Sequence, residues 1–245
     1  MNSSYVYKPT GGLGNTLIHL TSMQDDCKLL HDSVYDYELG NCITIHGFTR
    51  TSLDGKQPES PIYINQYTVH YVHSKIRDII EPTPYMKELI DKYRHILDDV
   101  SCGLSIRRGS YCEDSRQFKD DRGDRPEHYF CSEQGLEHFK NVIRNSPGKV
   151  FVSSDSASTM KEIKDEFGDK IVTLDTTFAM IMDQDDNENI SMNDYHNIFL
   201  KFFMLSECPI LYLTGGRTNM VGFSTYAYMA AIYGNKPFKI VFNEK

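Results

Sequence analysis

Apolar positions in the second half of the chain come in two kinds of stretch that alternate. Short apolar runs at Val100–Ile106, Lys149–Val152, Ile171–Leu174, Pro209–Leu213 and Phe238–Phe242 read as strands. Between them the apolar residues recur every three or four positions, which predicts helices over Glu127–Ile143, Ser158–Phe167, Asp194–Ser206 and Tyr226–Tyr233. The third of these carries the stripe Ile198, Phe199, Phe202, Phe203 and Leu205, and Gly168 and Gly234 mark stops. Strands separated by helices of ten or more residues predict parallel βαβ units.

The first half has a less regular pattern. Tyr5-Val6-Tyr7 is a β-prone run that breaks into a glycine-rich turn, Gly11-Gly12-Leu13-Gly14-Asn15. A helix-length apolar segment follows, through Leu17, Ile18, Leu20, Met23, Cys27, Leu29 and Leu30. A strand is expected at Cys42–Ile45, a loop over Thr51–Pro61, and extended chain at Ile62–Ile64 and Val69–Val72. A helix over Ile76–Ile80, a break at Glu81–Pro84 and a longer helix over Met86–Leu97 complete this half, with Thr83 as N-cap and Pro84 in the first turn. The expected boundary lies here, giving residues 1–98 as an N-terminal α/β domain and 99–245 as a C-terminal Rossmann-like domain.

Composition narrows the class. With 40% hydrophobic and 24% charged residues the chain is globular rather than disordered, and 245 residues allow one large domain or two small ones. No apolar run reaches the roughly 20 residues of a membrane helix, and MNSSYVYKPT lacks a signal peptide's apolar core, so the expected location is cytoplasmic. Six cysteines without a C-x-x-C pair point to reduced thiols rather than to staples or a metal. A formal charge of -8 argues against nucleic acid as partner. It does not exclude a small phosphorylated ligand, which responds to the local field.

The candidate chemistry sits where strands end. The strand through Leu104 and Ile106 delivers Arg107, Arg108 and Gly109 to the carboxyl edge of its sheet, where open α/β sheets bind ligands. Guanidinium matches phosphate oxygens with a rigid fork, and alternation along a strand lets at most one of the two arginines face a given ligand. An exposed strand end with two solvated arginines is the plain alternative. Gly12-x-Gly14 before a helix suits close approach to a phosphate at a helix N-terminus, or simply a tight turn. The strand at Lys149–Val152 stops on Ser153-Ser154-Asp155. The last long helix opens at Phe223-Ser224-Thr225, where Ser224 also reads as an ordinary N-cap. The charged segment from Cys112 to Arg125 reads either as a loop over a site or as solvated surface.

Taken together, Gly11-Gly12-Leu13-Gly14-Asn15, Ser105-Ile106-Arg107-Arg108-Gly109-Ser110-Tyr111, Ser153-Ser154-Asp155 and Phe223-Ser224-Thr225 resemble the fucosyltransferase superfamily of nucleotide-sugar enzymes. Its members carry a Gly-Gly-x-Gly-Asn turn, a His-x-Arg-Arg-Gly-Asp-Tyr strand end, a Ser-Asp strand end and a late serine loop. Ser105 stands here for the family histidine and Ser110 for the aspartate. The resemblance implies a GT-B-like α/β fold, two Rossmann-like domains facing each other across a cleft. It implies an inverting, metal-independent glycosyltransferase that needs no cofactor and moves fucose from GDP-fucose to a glycan acceptor hydroxyl. Arg107 and Asn15 would be catalytic, with Gly11, Gly12, Gly14, Arg108, Asp155, Ser224 and Thr225 binding the donor. Glu113 and Asp114 are the nearest carboxylates along the chain for a general base, against a solvated pair. Another nucleotide-sugar donor, or a non-catalytic nucleotide- or glycan-binding relative, fits the same residues.

Overall fold

The computed structural model of the protein describes residues 6–7, 13–22, 29–31, 42–46, 49–51, 75–108, 130–174, 192–216 and 223–244. In chain order the elements are β1 (Val6–Tyr7), α1 (Leu13–Ser22), β2 (Leu29–His31), β3 (Ile43–Ile45), β4 (Thr49–Thr51), α2 (Ile76–Ile79), β5 (Ile80–Pro82) and α3 (Pro84–Tyr93). A 3-10 turn at Arg94–Leu97 leads to β6 (Val100–Ile106), α4 (Glu133–Asn145), β7 (Lys149–Ser154), α5 (Ala157–Phe167) and β8 (Ile171–Val172). The chain closes with α6 (Met192–Glu207), β9 (Leu211–Thr214), α7 (Thr225–Gly234) and β10 (Phe238–Val241).

Among the described residues, β6 to β10 form one five-stranded parallel sheet in the order β10-β9-β6-β7-β8. The first strand of the series is therefore central, and the chain winds out one way and then the other, the doubly wound order of a Rossmann-like sheet. Its switch point falls between β6 and β9. Nearly every residue of β6 is buried, as expected for a central strand covered on both faces.

Side chains alternate across that strand. Cys102, Leu104 and Ile106 pack with Leu136, Phe139 and Ile143 of α4 and Met160 and Ile163 of α5. On the other face, Leu211 and Leu213 join α6 and α7 in a second apolar cluster. Gly103 sits under α6, where an added Cβ would lie 2.9 Å from the Cys208 Sγ, so its lack of a side chain sets how closely the helix approaches. The second cluster runs on into Leu17 and Leu20 of α1, Ile43 of β3, Ile76 and Ile80, and Met86 and Ile90 of α3. One apolar core is thus shared by residues on both sides of position 98.

Several local readings hold, with physical causes now visible. Thr83 caps α3, its hydroxyl accepting the Met86 N–H at 3.3 Å, with Pro84 in the first turn. Gly168 closes α5 with φ 51°, in the left-handed region that favours glycine. Other readings are corrected. The apolar run through Leu30 is not one helix: α1 ends at Ser22, and Leu29–His31 is a strand paired in parallel with β1 and β4. Pairing on both sides outweighs the helical spacing of two adjacent leucines. The break at Glu81–Pro84 contains β5, antiparallel to β3. α4 starts at Glu133 rather than Glu127, because the Ser132 hydroxyl accepts the Gly135 N–H at 3.2 Å and fixes the start there. α7 ends at Gly234 as expected, but the residue that caps it in the left-handed conformation is Asn235, at φ 51°. Gly234 has a different duty, since a Cβ there would run into the Ser206 carbonyl at the end of α6. The loop expected over Thr51–Pro61 begins inside a strand, since Thr51 closes β4; the rest of it, the expected segment 112–125 and the extended stretches at 62–64 and 69–72 lie outside the described residues.

Candidate functional site

β6 runs out at Ile106, and side chains from its two neighbours continue the ladder. On one side, Thr214 at the end of β9 is fully buried; its hydroxyl donates to the Ser105 carbonyl at 2.9 Å and accepts the Arg107 N–H at 2.9 Å. On the other, the Ser154 hydroxyl donates to the Ile106 carbonyl at 2.8 Å and accepts the Ser156 N–H at 3.1 Å. Asp155 then accepts the Arg108 N–H on Oδ1 at 2.6 Å. Two successive peptides at the end of β6 are held by hydroxyl and carboxylate groups where backbone partners stop.

The two arginines separate, as strand alternation requires. Arg108 continues the face of Leu104 and Ile106 and is 2% exposed. Its guanidinium donates to the Cys131 carbonyl at 3.2 Å and pairs with the Glu133 carboxylate at the start of α4. It fastens the strand end to a helix start. Arg107 is half-buried with its guanidinium over the Phe130 ring, 4.5 Å from the centroid, a cation–π contact. Burial lowers its pKa from the usual arginine value, and the Asp155 carboxylate opposes that shift. Among the described residues, no carboxylate forms a salt bridge with Arg107. The Phe130 ring and the Thr214 hydroxyl hold its guanidinium and its backbone in place, which leaves its charge for an anion.

Two helix N-termini meet at this edge. Ser224 stands at the N-cap of α7, its N–H donating to the Thr214 carbonyl at 2.8 Å. Unlike Thr83, Ser132 and Ser156, the Ser224 side chain makes no capping hydrogen bond, which corrects the reading of it as an ordinary N-cap. Thr225 opens the helix half-buried. Against it lies the first turn of α1, Leu13-Gly14-Asn15, so the helix begins inside the turn expected over Gly11-Gly12-Leu13-Gly14-Asn15. A Cβ on Gly14 would lie 2.6 Å from the Tyr226 Cα and closer still to the Tyr226 nitrogen. Glycine there is required by the approach of two backbones. Gly11 and Gly12 lie outside the described residues, as do Glu113 and Asp114.

Sequence reading passed over two groups. Thr214 was visible only as the last residue of an apolar strand before Gly215-Gly216. Lys201, in the apolar stripe of α6, is 6% exposed. Burial pushes its pKa down to about 8, against the pull of Asp155. A lysine between the apolar runs Ile198-Phe199-Leu200 and Phe202-Phe203-Met204-Leu205 was the available signal.

The arrangement can bind an anion. A half-buried guanidinium stands at the carboxyl edge beside β6 and β9, at the switch point. Two helix N-termini, each an end of positive potential, pack together at that edge.

No known family model matches the chain, and no curated protein matches it. Its fold is similar to solved structures of the alpha-1,6-fucosyltransferase NodZ. The structure soaked with GDP-fucose has a TM-score of 0.56 at 13% identity, over 95% of this chain and 93% of that one. The one co-crystallised with GDP gives 0.53 at 13% identity, over 94% and 92%. NodZ from Bradyrhizobium without a named ligand gives 0.53 at 12% identity over the same shares. The likeness spans nearly the whole of both chains and is one of fold.

Proposed function

We propose that the protein is an inverting, metal-independent glycosyltransferase that moves fucose from GDP-fucose to a hydroxyl of a glycan acceptor. One observation carries the reading. Thr214 holds the Arg107 backbone at the switch point of a doubly wound sheet, at the edge where the N-termini of α1 and α7 pack against one another. A nucleotide diphosphate is the ligand class that such an edge suits. The fold shared with NodZ, studied with GDP and GDP-fucose, supports the guanosine nucleotide and the sugar.

In this reading the reaction's barrier is negative charge building on the β-phosphate oxygens as the sugar leaves. Arg107 neutralises that charge, and the first-turn N–H groups of α7, with Ser224 and Thr225, hold the diphosphate. The Gly11-Gly12-Leu13-Gly14-Asn15 turn reaches the pyrophosphate and the reacting sugar, with Asn15 orienting rather than taking a proton. Arg108 and Asp155 serve by fixing the peptide that carries Arg107. Residues 1–98 form the acceptor side and 99–245 the nucleotide side of two Rossmann-like halves facing across a cleft, and the enzyme works in the cytoplasm.

The test is a calorimetric titration with GDP, GDP-fucose and UDP in EDTA, followed by incubation of GDP-fucose with glycan acceptors. Binding of both GDP compounds but not UDP, with release of GDP on turnover, is the expected result. Preference for UDP would overturn the donor, and binding without turnover would make the protein a binder. Unchanged GDP binding by a folded Arg107→Ala variant would overturn the site.

A further inference from the structure

Residues 130–132 touch both arginines, and one side chain holds these residues in turn. The Arg107 guanidinium lies over the Phe130 ring, 4.5 Å from its centroid. The Cys131 N–H donates to the Arg107 carbonyl at 2.8 Å, and the Cys131 carbonyl accepts from the Arg108 guanidinium at 3.2 Å. Asn243, just beyond β10, reaches to either side of Cys131. Its Nδ2 donates to the Phe130 carbonyl at 2.9 Å, and its Oδ1 accepts the Ser132 N–H at 2.8 Å. Its own N–H donates to the Gly216 carbonyl at 3.1 Å, in the segment that follows Thr214. A residue only 5% exposed thus joins the platform under Arg107 to the strand end that carries Thr214. We propose that Asn243 is a positioning residue: by clasping Phe130 and Ser132 it holds the Phe130 ring and the Cys131 N–H against Arg107, and so aims the guanidinium at a bound diphosphate. The inference rests on the nucleotide-diphosphate reading above.

The chemistry of the clasp is specific. Ser132 presents a donor and Phe130 an acceptor, so a primary amide in one orientation answers both. Aspartate would set a second acceptor against the Phe130 carbonyl, and leucine would fill the space while offering neither bond. The fit is also close. A Cβ on Gly135, in the first turn of α4, would run into the Asn243 Oδ1. The Gly135 N–H in turn donates to the Ser132 hydroxyl at 3.2 Å, so the same turn fixes Ser132 from its other side. Anchoring β10 does not require this amide. All four residues of that strand pair with β9, and the Gly215 N–H donates to the Val241 carbonyl at 2.8 Å. Asn243 directs both ends of its side chain instead to the residues around Arg107.

GDP affinity is measured by calorimetry in EDTA for the wild type, Asn243→Ser, Arg107→Met and the double variant, with unfolding curves for each. Asn243→Ser should bind GDP about tenfold more weakly, within the coupling found between members of one hydrogen-bond network. In the Arg107→Met background the same substitution should change GDP affinity by less than about twofold, because Asn243 acts through Arg107. Guanosine, which has no diphosphate, should bind the wild type and Asn243→Ser alike. If Asn243→Ser does not fold, Asn243→Asp, which keeps the shape and the bond to Ser132, takes its place in the same comparison. A loss that recurs in full in the Arg107→Met background, or that extends to guanosine, would make Asn243 a structural residue and overturn the inference. Wild-type GDP affinity in the folded Asn243 variant would overturn it too, and in each case the nucleotide reading would stand. Absence of GDP binding by the wild type would instead overturn the nucleotide reading itself.

Discussion

The Thr214 hydroxyl accepts the Arg107 N–H at 2.9 Å across the switch point of the sheet, and donates at the same time to the Ser105 carbonyl. A single buried oxygen therefore replaces the next rung between β6 and β9. Thr214→Val keeps the shape and removes both bonds, leaving a buried donor and acceptor unmet. The expected loss is about 2 kcal/mol, or about 4–8 °C in Tm. Thr214→Ser should restore most of it. Urea unfolding of the two variants checks this, and equal stability of Thr214→Val and the wild type would refute it.

The adjacent arginines should give opposite phenotypes. Arg108 is buried and satisfied by Cys131 and Glu133, so Arg108→Met should cost about 3 kcal/mol of stability through lost charge-assisted hydrogen bonds. Arg107 carries a charge that burial disfavours, so Arg107→Met should be no less stable than the wild type. It should nevertheless lose about 10²–10³ in transfer rate, the typical worth of one contact to a developing oxyanion. Unfolding curves and turnover on the same two proteins separate the roles.

Gly14 lies inside a helix, where alanine would ordinarily gain about 1 kcal/mol. Here the added Cβ meets the backbone of Thr225 and Tyr226, which cannot swing aside as a side chain would. Overpacking of this kind costs about 1–3 kcal/mol, so the net sign should be destabilising. Gly14→Ala should also weaken GDP binding, because α1 and α7 must part. A Gly14→Ala protein with raised Tm would show that the two helices are not held this close.

The pH dependence of stability has a defined sign. The folded pKa of Lys201, about 8, is below its unfolded value, so the unfolded chain binds the extra proton between about pH 8 and 10.5. Stability from this group therefore rises with pH in that window and carries a penalty of about 3 kcal/mol below it. The buried thiols of Cys42 and Cys208, pushed up to about 12, act the other way above about pH 8.5, as the unfolded thiols ionise first. The difference between wild type and Lys201→Met isolates the lysine: the variant should be the more stable at pH 7, with the gap closing by pH 10. A gap that widens with pH would reverse the assignment.

The parallel sheet was legible because its strands are short, apolar and punctuated. The Val100–Ile106 run, the Lys149 strand and the stop at Gly168 needed no tertiary information. Leu29 and Leu30 were misread because a three-residue strand has no room for a period, and its pairing with β1 and β4 is invisible in the chain. The convergence of Arg107, Asp155, Ser224 and Thr225 was legible from one rule, that strands of such a sheet present their carboxyl ends to one edge. Lys201 was not. A lysine in a helix is read as solvent-facing, and only the apolar runs on either side of it, Ile198-Phe199-Leu200 and Phe202-Phe203-Met204-Leu205, mark the exception.

The end of β6 is finished by side chains rather than by neighbouring strands. In a strand laced by backbone alone, re-aiming the last residue means sliding a whole register, which turns every core position to the wrong face. Here the last two peptides hang from Thr214, Ser154 and Asp155, three separately replaceable groups. A single substitution can shift the direction of Arg107 while Leu104, Ile106 and the strands beside them stay in place. The protein thus uncouples the evolvability of its reactive edge from the inheritance of its fold.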